Sequence, residues 1–230
     1  MLPLIVVQPV THTIPVVCED AVNTAVLLFG DRSLQRTLRG LPVQRVDGPG
    51  DIDAAIGRFR RLVVVGVDAD LAAVLTRLLR ADRLDVEVGY APRRRTTATR
   101  AYRVPAGRRA ARRARRGSAR RVPLIRDDTG AVIVGSAVWR GTDGPLHGEA
   151  VVDDLTLFDG DVAGVRIMPT VALPGLRARV LGRWPYRWVP GRAAQLGCTG
   201  VLVTRDGVAA RRPARRSTFY RHVEGWLLAR

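Results

Sequence analysis

The chain has 230 residues, 38 of them basic and 21 acidic, for a formal net charge of +17, and every basic residue apart from the three histidines is an arginine. That length allows one large domain or two small ones with a proper core, and an apolar content of 47% excludes a disordered chain. No apolar run approaches a membrane span, and the positive excess favours anionic partners: nucleic acid, an acidic membrane surface or phosphorylated ligands.

The N-terminus, Met1 to Pro9, lacks a basic n-region and a small-residue cleavage site, so no signal peptide is read there. Cys18 and Cys198 lie far apart without a CxxC and read as reduced thiols of a cytoplasmic protein. Leu4–Val7 predicts a short strand, and Ala25–Phe29 a second one closed by Gly30-Asp31. Asp31 to Leu38 reads as a short helix capped by Asp31. Val43–Val46 predicts a third strand, ended by the turn signal Asp47-Gly-Pro-Gly50. Ile52, Ala55, Ile56 and Phe59 then recur at helical spacing.

The chain is organised around residues 61–79. Leu62–Val65 is short and fully apolar, as in a strand buried on both faces. It turns at Gly66-Val67-Asp68 into a helix whose Leu71, Val74, Leu75, Leu78 and Leu79 share one face, with Asp68 or Asp70 as the cap. This unit can aim a helix N-terminus at a phosphate, and it equally serves as a plain core crossover. Val86–Val88 adds one more strand. Strands alternating with helices imply an open, mainly parallel α/β sheet over residues 1–105.

The character changes after Ala91. Arg93, Arg94, Arg95, Thr96 and Thr97 form a basic loop. Arginines then crowd the stretch from Arg108 to Arg121, whose only apolar residues are alanines. Residues 106–121 therefore read as a solvated helix or a linker, or as a patch for nucleic acid or lipid headgroups.

From residue 122 to 230 the period is two, with short strands at Ala131–Val134, Ala150–Val152, Leu155–Phe158, Val165–Met168, Leu176–Leu181 and Val201–Thr204. Arg177 and Arg179 alternate with apolar residues, as on a half-exposed strand. Asp143-Gly144, Asp159-Gly160 and Asp206-Gly207 are hairpin-turn pairs. These features predict a β-sandwich or flattened barrel. Trp139 and Trp226 read as core. The aromatics of Arg183-Trp184-Pro-Tyr186-Arg187-Trp188 suit a membrane interface, base stacking or the closed end of the β domain.

No HExxH, GxSxG or lysine-bearing Walker loop occurs. Glu149, Asp153, Asp154, Asp159 and Asp161 are acidic neighbours, but their spacing matches no calcium loop, and no metal site is assigned.

The order of features resembles the diacylglycerol kinase catalytic-domain family, whose fold is shared with sphingosine and NAD kinases. Its strand–GGDGT–helix motif is similar to Gly66-Val67-Asp68-Ala69-Asp70, and its PLGTxNDFAR-like loop to the stretch from Pro92 to Pro105. Gly191–Leu196 looks like the approach to its last motif, DGE, which reads Asp206-Gly207-Val208 here. The resemblance implies an α/β nucleotide-binding domain followed by a β-sandwich, with the last strands, within Ser217–Leu228, packing back on the first domain. It also implies ATP and magnesium as cofactors, Asp68 and Asp206 in catalytic positions, and Gly66, Asp68, Asp70, Arg93, Arg94, Arg95, Thr96 and Thr97 around the nucleotide.

The departures are chemical. Val67 and Ala69 put side chains where the family has glycine, Asp70 replaces a threonine that faces phosphates, and Val208 replaces the glutamate base. Phosphoryl transfer needs positioned phosphates, metal charge and a base, and three such parts change together. The expected function is a catalytically degenerate lipid-kinase-like protein, cytoplasmic or peripheral at the inner membrane surface, that binds a nucleotide or phospholipid headgroup. Alternatives are an active ATP-dependent lipid kinase with Glu149 or Asp206 as base, and a nucleic-acid binder acting through Arg108–Arg121.

Overall fold

Residues 23–182 and 187–230 are described by the structure, a computed structural model, as two sheets. The predicted Leu4–Val7 strand, Cys18 and the Arg183–Tyr186 part of the aromatic motif lie outside the described residues. The first sheet contains β1 (Thr24–Phe29), β2 (Val43–Val46), β3 (Arg61–Val65), β4 (Glu87–Tyr90), β5 (Ala119–Val122) and the last strand, β17 (Trp226–Ala229). Its order is β2-β1-β3-β4-β17-β5, parallel throughout except where β17 meets β5.

Both faces of this sheet are covered, which is why Ala25–Phe29 and Leu62–Val65 are apolar at consecutive positions. Ala25, Leu27, Leu62, Val64 and Val88 point to α1 (Pro49–Ile56) and α2 (Asp68–Arg80), whose Ile52, Ile56, Leu71, Val74, Leu75 and Leu78 complete that core. Val26, Leu28, Val63 and Val65 point the other way, towards Leu38, Leu41 and α4 (Gly107–Arg116). The short α3 (Thr97–Ala101) follows β4.

The second sheet is antiparallel and eleven-stranded: β6 (Ile125–Asp127), β7 (Val132–Ile133), β8 (Ala137–Gly141), β9 (Leu146–Val152), β10 (Leu155–Val162), β11 (Val165–Pro169), β12 (Leu176–Val180), β13 (Val189–Gly191), β14 (Ala193–Arg205), β15 (Val208–Ala209) and β16 (Ala214–Arg221). The long β14 joins its parts. Ala194–Cys198 pair with β9 and Val201–Arg205 pair with β8 on the same edge, and the ladder to β16 shifts register between Gly197 and Val201. Ala150, Val152 and Phe158 share one core with Ile167, Leu176 and Ala178. Trp139 is fully buried in that core, with Nε1 donating to Ser217 Oγ at 3.0 Å.

The fold class expected from sequence, an open α/β domain followed by a β-sandwich, is present as a mainly parallel α/β sheet and one large antiparallel sheet. Trp226 is buried as expected, in the first sheet's core, where it meets Tyr102 edge-on at a centroid distance of 5.2 Å. Of Ser217–Leu228, only Trp226 onward joins the first sheet, and β16 stays in the second.

Several elements differ from expectation. Asp31–Leu38 forms only a 3-10 turn at Arg36–Leu38. Leu34 and Leu38 give it no apolar stripe, while Arg32 Nη1 donates back to Phe29 O at 2.7 Å and Gln35 Nε2 to Ala91 O at 3.0 Å. The Asp47–Gly50 turn is half helix: Pro49 opens α1, and Asp51 Oδ2 accepts the Asp47 and Gly48 N–H groups.

Asp159-Gly160 is not a turn but lies inside β10, where Gly160 faces Gly148. The β9–β10 hairpin turns at Asp153, whose φ is +50°, and Asp153 spends its carboxylate on the Arg192 and Ala193 N–H groups. Asp143-Gly144 connects β8 to β9, which are not ladder partners. No helix among the described residues is long and apolar enough to cross a membrane.

Candidate functional site

The site begins at the end of β3, where the chain leaves the sheet and enters α2. Asp70, three residues past Val67, folds its side chain back so that Oδ2 accepts the Val67 N–H at 2.7 Å. This is the helix cap, and of the two candidates Asp70 supplies it. A side chain at Gly66 would collide with that carboxylate. Arg32 Nη1, from the loop after β1, lies 3.7 Å from Asp70 Oδ2. The helix N-terminus is therefore already faced by a negative group of the chain itself.

Asp68 points the other way. Its Oδ1 accepts from Tyr90 Oη at 2.9 Å and its Oδ2 from the Ala98 N–H at 3.0 Å. Tyr90 ends β4, and Ala98 lies in the first turn of α3, which Thr96 caps through the Thr99 N–H at 3.2 Å. Burial, then the charge of Asp68 and the hydrogen bond to it, hold the Tyr90 phenol strongly towards its protonated form. One carboxylate thus ties β3, β4 and the second motif's loop together.

Asp206 arrives from the second sheet. It occupies the two-residue β14–β15 turn with Gly207, both at positive φ (49° and 89°), as the Asp-Gly pair predicts. Its carboxylate is wrapped by the loop between β7 and β8: the Gly135 and Ser136 N–H groups donate to Oδ1 at 2.7 and 2.8 Å, and the Val134 N–H to Oδ2 at 2.9 Å. β7, which leads into that loop, is held against α2, with the Val132 N–H donating to Thr76 Oγ1 at 3.0 Å.

Gly135 is the hinge of the arrangement. A methyl group there would fall 2.7 Å from Asp68 Oδ2 and 2.9 Å from Asp206 Oδ1, so both carboxylates converge on the same backbone atom. Burial and the nearby Asp68 push the Asp206 carboxyl up while the three N–H groups pull it down, and it sits at about 6. Behind it, Arg205 Nε donates to Asp127 Oδ2 at 2.6 Å. Asp127 is fully buried, with Oδ1 accepting from the Thr129 N–H and hydroxyl and the Ala131 N–H. This pair anchors the strand end that presents Asp206.

The remaining predicted residues form the rim. Arg93, Arg94 and Arg95 are exposed in the loop after β4, and Arg93 Nη2 donates to Ser33 Oγ across the mouth. Thr96 and Thr97 are half-buried at the start of α3. Val67 and Val208 are 45% and 60% exposed, so two apolar side chains stand in the open around the half-buried acids. A cavity of about 210 Å³ runs between Ala69, Ala72 and Thr76 of α2 and Asp206, Val208 and Ala209 of the turn. Glu149 is not part of this group; it faces Asp159 across the β9–β10 ladder.

The structure therefore brings Gly66, Asp68, Asp70, Thr96 and Thr97 together with Asp206 and leaves the three arginines at the edge. Tyr90, the 134–136 loop and the Asp127–Arg205 pair were not found from sequence. Backbone N–H donors have no residue signature, and Asp127 lies 78 positions from Arg205.

An α/β layer joined to an antiparallel β layer, with acidic groups from both at the junction, defines the architecture of a kinase-like fold. It is the fold shared by diacylglycerol kinases and NAD kinases. A diacylglycerol kinase from Bacillus anthracis str. Sterne superposes with a TM-score of 0.64 at 12% identity, over 90% of this chain and 96% of that one. An NAD kinase from Archaeoglobus fulgidus, in complex with ATP, gives 0.61 at 10% identity over 90% and 93%. No family model matches the sequence, and no curated protein matches it.

The residues present do not fit a magnesium–nucleotide as the resemblance implies. Asp70 sets a negative charge at the helix N-terminus where phosphate charge would go, and the oxygens of Asp68 and Asp206 already accept from donors of the chain, which hold them in place there. Among the described residues no group of three His, Cys, Asp or Glu converges elsewhere.

Proposed function

We propose that the protein is a catalytically degenerate relative of the lipid kinases, a binding or regulatory protein for a phosphate-bearing anion such as a nucleotide or a phospholipid headgroup. The observation that carries this reading is the Asp70 carboxylate on the Val67 N–H, folded over Gly66. A carboxylate fixed there repels incoming phosphate by Coulomb interaction and takes a donor that phosphate needs. Val208, exposed beside the half-buried acids, has no atom that accepts a proton. What remains for an anion is the guanidinium rim of Arg94 and Arg95, which suits bidentate phosphate contact. The reading places the protein in the cytoplasm, with peripheral association at the inner membrane surface when the anion is a headgroup.

The test is the thermal unfolding midpoint with ATP, ADP, NAD and pyrophosphate, each with and without magnesium. A ligand that binds only the folded state raises stability by mass action. The expected result is a rise with the most highly charged phosphates that does not depend on magnesium and that shrinks in Arg94→Ala. A rise that requires magnesium, accompanied by phosphate transfer from ATP to extracted lipid, would overturn the reading in favour of an active lipid kinase with Asp206 as base.

A further inference from the structure

α4 is built to show arginine. Its apolar residues are all alanines; Ala110, Ala111 and Ala114 are buried, and the last two join the core on that face of the sheet. The approach is close because β4 carries glycine beneath the helix: a methyl at Gly89 would lie 2.6 Å from Ala114 Cβ. The helix is also fixed from behind. Arg115 Nη1 donates to Thr37 O at 2.9 Å and Arg39 O at 3.2 Å, and Arg61 Nη1 donates to Arg115 O at 2.8 Å.

With its alanines turned inward, α4 leaves Arg108, Arg109, Arg112, Arg113 and Arg116 exposed. Among the described residues, none of these five is in an ion pair.

Two cavities flank the helix, and arginine lines both. On one side, about 450 Å³ is enclosed by Arg113 of α4 together with Arg95, Arg100 and Arg103. On the other, about 380 Å³ is enclosed by Arg108, Arg109 and Arg112 together with Arg36, and Thr37 also lines it. The Thr37 hydroxyl is buried without a hydrogen-bond partner. Eight guanidinium groups thus bracket one ridge with no carboxylate among the lining residues. Such a cluster is self-repulsive at separations below the Debye length, about 10 Å at 0.1 M salt, so it stands ready for counter-charge from outside.

The chemistry of the face narrows the partner. A helix is about 10–12 Å across, so two anion cavities on its opposite flanks suit a ligand with repeated phosphates rather than a single headgroup. None of the exposed large apolar side chains belongs to α3, α4 or the segment between them, so this face has nothing to insert into a bilayer. Neither cavity has an aromatic residue on which a base could stack. We infer that the α4 ridge and its two flanking cavities bind the sugar-phosphate backbone of a nucleic acid, without reading its sequence. This surface is distinct from the Asp68–Asp206 junction and does not depend on the reading given to it.

The experiment measures binding of a short labelled DNA duplex of arbitrary sequence by fluorescence anisotropy across a salt series. The intact protein should lose about a thousand-fold in affinity between ~50 and ~200 mM salt, as expected for contacts to six or more phosphates. The R108Q/R109Q/R112Q/R113Q variant keeps the buried alanines and a good helix former at each position. It should bind at least ~100-fold more weakly at low salt, with a log–log salt slope shallower by about 3 to 4. Changing the duplex sequence should leave affinity within about two-fold.

A second variant, R211Q/R212Q/R215Q/R216Q, removes the same charge from exposed positions in the β15–β16 loop and at the start of β16. It should retain most of the binding. Equal losses in the two variants would overturn the inference, because net charge alone would then account for affinity. Flotation with anionic vesicles in the absence of duplex binding would overturn it in favour of a membrane surface.

Discussion

The N-terminus of α2 and the outer face of α4 are two positive regions of the same sheet layer, and the chain neutralises them in opposite ways. At α2 a single acid, Asp70, takes the Val67 N–H and lies near Arg32. At α4, among the described residues, the arginines are in no ion pair. An internal counter-ion cannot diffuse away, so the first region is closed by covalent connection and responds weakly to salt. An external one must be recruited from solution, so the second region responds steeply.

The junction of the two sheets extends the first pattern inward. Asp127 answers Arg205, and Asp206 is answered by three backbone dipoles.

The largest test of internal neutralisation is Asp127→Ala. It strands the Arg205 guanidinium, which is mostly buried, together with the donors around residues 129–131. Breaking one side of such a pair costs roughly 3–5 kcal/mol. A urea midpoint corresponding to less than about 1 kcal/mol would show that this corner does not rest on its own counter-charge.

Asp206 gives the next effect. Its folded-state pKa, about 6, stands above its ordinary value of 3.8, so the folded protein holds that proton more tightly than the unfolded chain does. The stability it contributes is fully present below pH 3.8 and is lost as pH rises through about 6. A shift of about two units corresponds to roughly 3 kcal/mol. Comparison of unfolding free energies between the native chain and Asp206→Asn should show this decline with pH only in the native chain. Parallel curves would mean that the three N–H groups outweigh burial.

The smallest effect comes from Asp70→Ala. Loss of the cap costs about 1 kcal/mol. The same change should enlarge the stabilisation by pyrophosphate, and an unchanged response would mean that Asp70 does not close the α2 end.

Much of the first sheet was legible because its signals are local. Leu62–Val65 followed by the Leu71–Leu79 stripe specifies strand, turn and helix without reference to distant residues. The hairpin pairs show where locality fails. Asp206-Gly207 turns and Asp159-Gly160 does not, although the same dipeptide stands at both places, because the turn at Asp153 sets the register that places Gly160 opposite Gly148.

In the arginine segment, the absence of large apolar side chains was read correctly. That its alanines bury fully depends on Gly89, which no pattern within the segment reports. For the site, Asp68 and Asp206 were found only through resemblance, and their convergence on Gly135 follows from the packing of two sheets.

The position of β17 has a consequence for synthesis. Trp226–Ala229 lies between β4 and β5, so the first sheet stays split until the ribosome has delivered residues more than a hundred positions beyond β4. Until then β4 presents a bare strand edge, while the second sheet, whose strands all precede β17, has already been made. The nascent chain therefore completes its second half before its first. A chain that stops before Trp226 lacks the strand that joins β4 to β5 and leaves the opening layer in two pieces.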